Sequence, residues 1–96
     1  MAGYTLTPRA RRDLDSIAAY SIREWGREQA ARYVRDLRAA IEMVAANPLR
    51  GRNREELRPG YFSMSRGSHI VFYRRMPDGI DVVRILHQRM EPERHL

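Results

Sequence analysis

Arginine, histidine and tyrosine recur in the last third of the chain, where their spacing raises the question of catalysis. RNA cleavage without a metal ion requires a general base, a general acid and cations that stabilise the charge developing on phosphorus. Side chains of these three types can supply those roles. The residues that would gather on or near one sheet are Arg66, Tyr73, Arg74, Arg84, His87 and Arg89. If the chain is a nuclease, its catalytic candidates are Arg84, His87, Tyr73 and Arg66.

A structural role for the same side chains is the stronger interpretation. Arg84 and His87 are three residues apart in one predicted strand, so their side chains point to opposite faces of a sheet. A histidine that closes a strand is more often a hydrogen-bonded structural residue. We therefore assign no catalytic residue from the sequence.

Other chemistry finds no support in the sequence. No phosphate-binding glycine loop, zinc-ligand spacing or nucleophile elbow is present. Cysteine is absent, which excludes disulfides and thiol chemistry. The three histidines, His69, His87 and His95, are too scattered to indicate a metal site. We expect no cofactor and no metal.

The candidate residues belong to a predicted β-hairpin between Ser68 and His87. Two runs rich in Ile, Val, Phe and Tyr flank a short segment that contains Pro77 and Gly79. Proline presets φ for a turn, and glycine can adopt the positive φ that closes it. A further strand is predicted over Tyr61–Met64, so that the C-terminal half forms a three-strand meander.

Strict alternation makes both faces of this hairpin apolar. Ile70 and Phe72 oppose Val71 and Tyr73 in the first strand. In the second strand alternation places Val83 and Ile85 on one face, and Ile80, Val82 and Leu86 on the other. Because a layer of helices covers only one face, we expect the second apolar face, or a groove beside it, to be a site for a partner.

Two amphipathic helices are predicted before the meander. Tyr4–Leu6 is a short opening strand, and Thr7 followed by Pro8 is a helix start. Gly26 ends the first helix, and Asn47-Pro48 stops the second, which predicts an antiparallel helical hairpin with a break of two or three residues. The apolar positions predicted to be buried between helices and sheet are Leu14, Ile17, Leu37 and Ile41.

Two further features of this half have more than one interpretation. Trp25, at the bend between the helices, is expected to pack inside, with an exposed stacking role as the alternative. Residues 48–60 read as a charged loop, in which solvated arginines are the simplest interpretation. Its arginines are Arg50, Arg52, Arg54 and Arg58.

These elements predict an α+β fold with the order β-α-α-β-β-β. We expect two layers, in which the helical hairpin packs on one face of a largely antiparallel sheet, in a single domain over residues 1–96. No signal-peptide pattern and no apolar run of membrane-spanning length occurs, so we expect a cytoplasmic protein without membrane contact.

The basic residues outnumber the acidic ones, and they are all of one type. All 18 basic residues are arginine, and the net charge is +6. A cationic surface of this kind suits nucleic acid or an acidic protein. A base-composition bias of the source genome would explain the missing lysine equally well.

The chain resembles the ParE toxins of bacterial type II toxin–antitoxin systems, within the wider RelE/ParE superfamily. The likeness extends over nearly the whole length, and it depends on the order and spacing of its pieces. They are Tyr4–Pro8 with Ala10 and Asp13-Leu14; Ile17–Tyr20; Trp25-Gly26 with Gln29-Ala30; Tyr33; Asn47-Pro48 with Gly51-Arg52; Glu56-Leu57; Gly60-Tyr61; His69–Arg74; and Val83–His87.

The resemblance implies a toxin that poisons DNA gyrase and that a ParD-like antitoxin neutralises. Antitoxins of this kind wrap a C-terminal segment around the toxin and bind operator DNA through their N-terminal part. The toxin would therefore meet operator DNA only indirectly. The RelE-like branch instead cleaves mRNA on the ribosome, and this is the alternative function. The chain retains Arg84 and His87 but has Gln88-Arg89-Met90 where that branch commonly has a closing aromatic residue, which favours the ParE branch.

Overall fold

The computed structural model describes residues 3–96 and consists of two helices on a five-stranded sheet. The strands are β1 (Gly3–Leu6), β2 (Arg52–Asn53), β3 (Tyr61–Arg66), β4 (His69–Met76) and β5 (Gly79–His87). The helices are α1 (Pro8–Trp25) and α2 (Arg27–Ala46), and single 3₁₀ turns occupy Pro48–Arg50 and Pro92–Arg94. The α+β class and the β-α-α-β-β-β order are confirmed, with one short strand added.

The helical hairpin starts and bends where the sequence predicts. The Thr7 hydroxyl accepts a hydrogen bond from the Ala10 amide at 3.1 Å, and Pro8 occupies the first helical position. Gly26 alone separates α1 from α2, so the break is shorter than the predicted two or three residues. This tight bend keeps the two apolar stripes on one side, facing the sheet.

The sheet has the order β1-β5-β4-β3-β2, in which β1 pairs parallel to β5 and every other pair is antiparallel. The predicted turn is confirmed: Pro77 and Asp78 form it between β4 and β5, and Gly79 begins β5 with a positive φ of +149°. The two-residue strand β2 lies inside the segment predicted as a loop. It was missed because Arg52 and Asn53 are both exposed and form no apolar pattern.

The core lies between the helical hairpin and one face of the sheet. Leu14, Ile17, Leu37 and Ile41 are all buried there, as predicted. The sheet contributes side chains from its two central strands. These are Val71 and Tyr73 of β4 and Ile80, Val82 and Ile85 of β5.

A β-bulge at Val83 overturns the predicted faces of β5. Phe72 pairs with Arg84, whereas the next residue of β4, Tyr73, pairs with Val82, so Val83 has no partner in the ladder. One extra residue reverses the alternation beyond it. Ile85 therefore shares the helix-facing side with Val82, and grouping Ile85 with Val83 against Val82 was wrong.

The opposite side of the sheet, here called the second face, is shielded from solvent by the chain itself at Phe72 and Leu86. Phe72 is 0% exposed and Leu86 is 1% exposed, although neither belongs to the helix-facing core. The Arg54 guanidinium lies 5.4 Å from the centre of the Phe72 ring. The C-terminal tail, residues 88–96, is tied down nearby. The expectation that this apolar face is left open for a partner was therefore wrong at Phe72 and Leu86.

Three arginines from separate parts of the chain hold this tail. Arg84 donates to the His95 carbonyl at 2.7 Å, and Arg9 donates to the same oxygen at 3.1 Å. Arg58 donates to the Leu96 carbonyl at 3.1 Å. These bonds join the tail to α1, to β5 and to the loop before β3.

Candidate functional site

Arg84, the first catalytic candidate, is engaged in a structural ion pair. Its Nε and Nη2 donate to the two carboxylate oxygens of Asp13 at 2.7 and 2.9 Å. The Asp13 carboxylate also accepts a hydrogen bond from the Ile85 amide at 2.9 Å. The pairing of β1 with β5 ends at Val82, so Ile85 lies on the part of β5 that has no strand beside it on this edge among the described residues. The hydrogen bond to Asp13 raises the pKa of Arg84. Arg84 therefore fastens α1 to the uncovered edge of β5.

Tyr73 lies in the helix-facing core and is 0% exposed. Its hydroxyl donates to the Pro48 carbonyl at 2.6 Å. Burial raises the pKa of this phenol above its ordinary value of 10.0, which works against a role as general base. The side chain connects β4 to the turn after α2.

Arg66 closes β3 and forms an ion pair with Asp36 of α2. Its Nε lies 3.0 Å from Asp36 Oδ2, and Nη2 donates to Oδ1 at 3.2 Å. Arg74 of β4 lies 3.1 Å from the Asp81 carboxylate. Both arginines thus have a carboxylate partner within the fold.

His87, the last catalytic candidate, lines an open cleft between α1 and the sheet. It pairs across the sheet with His69, and the two rings meet edge to face at 5.5 Å between centroids. Tyr33 Oη lies 2.6 Å from His69 Nδ1, and the Arg89 amide donates to His87 Nδ1 at 3.1 Å. Burial, followed by the nearby His87, lowers the pKa of His69 below its ordinary value of 6.5.

The cleft beside these histidines has a volume of about 300 Å³ and a mainly apolar lining. Asp13, Ser16 and Tyr20 of α1 line one side of it, and Met90 of the tail also contributes to the lining. Among residues 3–96 no three histidine or acidic side chains lie close enough together to hold a metal ion.

The structure does not bring the four catalytic candidates together. Tyr73 faces the helices and is buried, Arg84 is bound to Asp13, Arg66 is bound to Asp36, and only His87 meets the cleft. General acid–base catalysis requires the acid and the base within hydrogen-bond reach of one reacting position. No such position is shared by these side chains.

Sequence reasoning missed an aromatic strip that runs from the helical bend to the histidine pair. Trp25 contacts the Tyr20 ring at 6.2 Å and the Tyr33 ring at 6.5 Å, and Tyr33 contacts His69 at 5.7 Å between centroids. Tyr20 is 52% and Trp25 is 48% exposed, so the alternative of an exposed Trp25 describes the structure better than the packed one. The spacing of Tyr20 and Trp25 at the end of one helix was the available signal.

No helix within residues 3–96 combines the length and the apolar character that crossing a membrane would demand.

Comparison with known proteins identifies the family. Residues 4–92 match the model described as "ParE toxin of type II toxin-antitoxin system, parDE". A Toxin ParE1 of Caulobacter vibrioides is 48% identical over 96 residues, covering 100% of this chain and 99% of the relative. A Toxin ParE1 of Mycobacterium tuberculosis is 49% identical over 94 residues, covering 97% and 96%.

A solved structure has the same fold. The chain described as "Chromosomal ParDE TA system from P. aeruginosa" superposes with a TM-score of 0.75 at 24% identity. The superposition covers 91% of this chain and 96% of the solved chain. At that identity the likeness shows the fold alone, whereas the family match and the full-length relatives show descent. The chain belongs to the ParE toxin family of parDE type II toxin–antitoxin systems.

Proposed function

We propose that this ParE-family toxin acts by binding DNA gyrase and corrupting its cleavage–religation cycle, and that a ParD-like antitoxin neutralises it. The observation that carries the choice of mechanism is the dispersal of the four catalytic candidates. Arg84, Tyr73 and Arg66 each form a bond that holds two elements of the fold together. A toxin that acts by binding requires no acid–base pair.

Ribosome-dependent mRNA cleavage is the alternative function, and one observation favours it. His87 and His69 form an adjacent pair beside an open cleft, with the Tyr33 hydroxyl at 2.6 Å from His69. Two imidazoles can act as general acid and general base. Both mechanisms place the protein in the cytoplasm, where gyrase and ribosomes are found.

The deciding experiment exposes gyrase and translating ribosomes to the purified toxin in parallel. We expect inhibition of supercoiling and accumulation of cleaved DNA, with mRNA left intact. His87→Ala is the chemical probe, because it removes the imidazole from the cleft without touching the Asp13–Arg84 pair. Ribosome-dependent cuts that vanish in His87→Ala, together with gyrase that is unaffected by the wild type, would overturn the proposal.

The antitoxin is proposed to cover the aromatic strip. The Tyr20 and Trp25 side chains are about half exposed, and the apolar cleft continues from Tyr20 to His87. Large aromatic side chains of this kind are typical anchors of protein interfaces. The solved ParDE neighbour is itself described as a toxin–antitoxin system, which supports a partner of this class. Operator DNA would be contacted through the antitoxin.

A matched pair of variants tests this surface against a purified ParD-like antitoxin. Trp25→Ala should weaken the complex by about tenfold or more, as loss of a central aromatic anchor does. Leu49→Ala is the control, because Leu49 is 64% exposed and lies beyond the opposite end of α2. Equal affinities for both variants, or unchanged amide exchange along α1 on saturation with antitoxin, would exclude the strip as the binding surface.

A further inference from the structure

A pocket of about 320 Å³ opens at the second face where β2, β3 and β4 meet. We call it the arginine pocket. Its cationic residues are Arg50, Arg52 and Arg54, and its hydroxyl groups belong to Ser63 and Ser65. It is separate from the aromatic strip, which lies at the helical bend and beside His69 and His87.

Two consecutive residues of β4 fix the segment that carries these arginines. The Tyr73 hydroxyl reaches the Pro48 carbonyl from the helix-facing side at 2.6 Å, and it passes so close to Gly51 that any side chain there would overlap it. Phe72 points to the second face, where its ring supports the Arg54 guanidinium at 5.4 Å. The pocket is therefore held from both sides of the sheet.

The arginine pocket retains uncompensated positive charge. Arg54 donates to Glu56 at 2.8 Å and to the Ser63 hydroxyl at 3.2 Å, so its guanidinium is already oriented. Arg50 and Arg52 are exposed, and neither forms an ion pair with an acidic residue among residues 3–96. One carboxylate thus balances three guanidinium groups at this site.

The pocket is also open along the sheet edge. β2 pairs only with Phe62 and Ser63, so within the described part of the chain β3 has no neighbouring strand on that side over residues 64–66. A closed pocket accepts only a small anion, whereas an open one allows a polymer to pass. Ile70 adds apolar lining beside the guanidinium groups. A nucleotide presents a comparable combination, a charged phosphate next to a base whose π face can pack against an apolar side chain.

We propose that the arginine pocket binds a phosphate group of a nucleic-acid backbone. Arg50 and Arg52 supply the free guanidinium forks, which match phosphate geometry, and the exposed Ser65 hydroxyl supplies a further donor. Arg54 is a positioning residue that shapes the pocket through Ser63. The site is independent of the gyrase target, because it requires no protein partner.

Fluorescence anisotropy with a labelled single-stranded oligodeoxythymidylate tests the assignment. Arg50→Ala/Arg52→Ala is compared with Arg11→Ala/Arg12→Ala, a pair of exposed arginines on α1, so that both variants lose the same net charge. We expect the pocket variant to bind at least about tenfold more weakly and the control to change less than about threefold. Loss of two phosphate contacts on a single strand should also reduce the slope of log K against log salt by about 1.4.

Several results would overturn the proposal. Equal losses in the two double variants would show diffuse attraction to a cationic protein, and no binding by the wild type would leave the pocket without this ligand. At constant ionic strength, displacement by inorganic phosphate would identify a small-anion site, and displacement by polyglutamate would identify an acidic-peptide site. Far-ultraviolet circular dichroism of each variant verifies folding, which exposed substitutions should leave intact.

Discussion

The ion pair between Asp13 and Arg84 offers the sharpest test of the structural interpretation. The two side chains are 16% and 12% exposed, so the pair is mostly shielded from water. Replacing Asp13 with Asn would leave the guanidinium without its counter-charge and weaken the acceptor for the Ile85 amide. Removing one partner of a buried pair costs about 3–5 kcal/mol, and we expect about 3 kcal/mol because some water reaches this pair.

That cost is a large share of the total for a domain of this size, whose stability is about 5–15 kcal/mol. At about 4–8 °C per kcal/mol, a loss of about 3 kcal/mol should lower the unfolding midpoint by about 12–24 °C. Urea denaturation followed by circular dichroism at pH 7 measures the free energy directly. Asp15→Asn is the control on the same helix, because Asp15 is exposed and should change stability by less than about 0.5 kcal/mol.

A double-mutant cycle completes this test. Asp13→Leu combined with Arg84→Met replaces the pair by apolar side chains, and should cost less than the sum of the single changes because no charge is left unpaired. Additive losses would show that the two side chains do not depend on each other. An Asp13→Asn protein as stable as the wild type would refute the structural role assigned to Arg84.

Three further predictions concern the core and the histidine pair. Leu37→Ala should cost about 2–5 kcal/mol in denaturant unfolding because Leu37 is fully buried, whereas Leu49→Ala, on the surface, should cost almost nothing. Tyr73→Phe should lose about 1–2 kcal/mol, since the Pro48 carbonyl loses its donor, and a smaller change would show that the 2.6 Å bond contributes little. The pKa of His69 is lowered in the fold, so the unfolded chain binds its proton first as pH falls below the ordinary 6.5. Stability should therefore decrease from that pH downward, and His69→Gln should flatten the decrease in unfolding curves at pH 7.5 and 5.5.

Local patterns predicted most of the fold. The Thr7 cap, the glycine at the bend and the apolar stripes each act within a few residues, so they are visible in the sequence. Leu14 and Leu37 lie on these apolar stripes, and their burial was therefore predictable. The β-bulge at Val83 was not predictable in this way. The sequence of β5 shows which residues are apolar, but it does not show that one of them has no partner in the neighbouring strand.

The candidate site was less predictable because it depends on partners distant in the chain. Residue type identified Arg84 and Tyr73 as chemically capable, but their roles are set by Asp13 and by the Pro48 carbonyl. Likewise, nothing near Phe72 in the sequence reveals that Arg54 covers it. The resemblance identified the family correctly, while the covering of the second face required the structure.

The parallel pairing of β1 with β5 has a consequence for the time at which the toxin can fold during synthesis. Gly3 pairs with Gly79, and the Thr5 hydroxyl donates to Asp81 across 76 positions of the chain. At about 5–20 residues per second, a ribosome takes about 4–15 s between these partners. The opening strand therefore waits unpaired until β5 has been made, and contacts of such long range are slow to form. A partner that recognises the finished sheet can bind only after that interval.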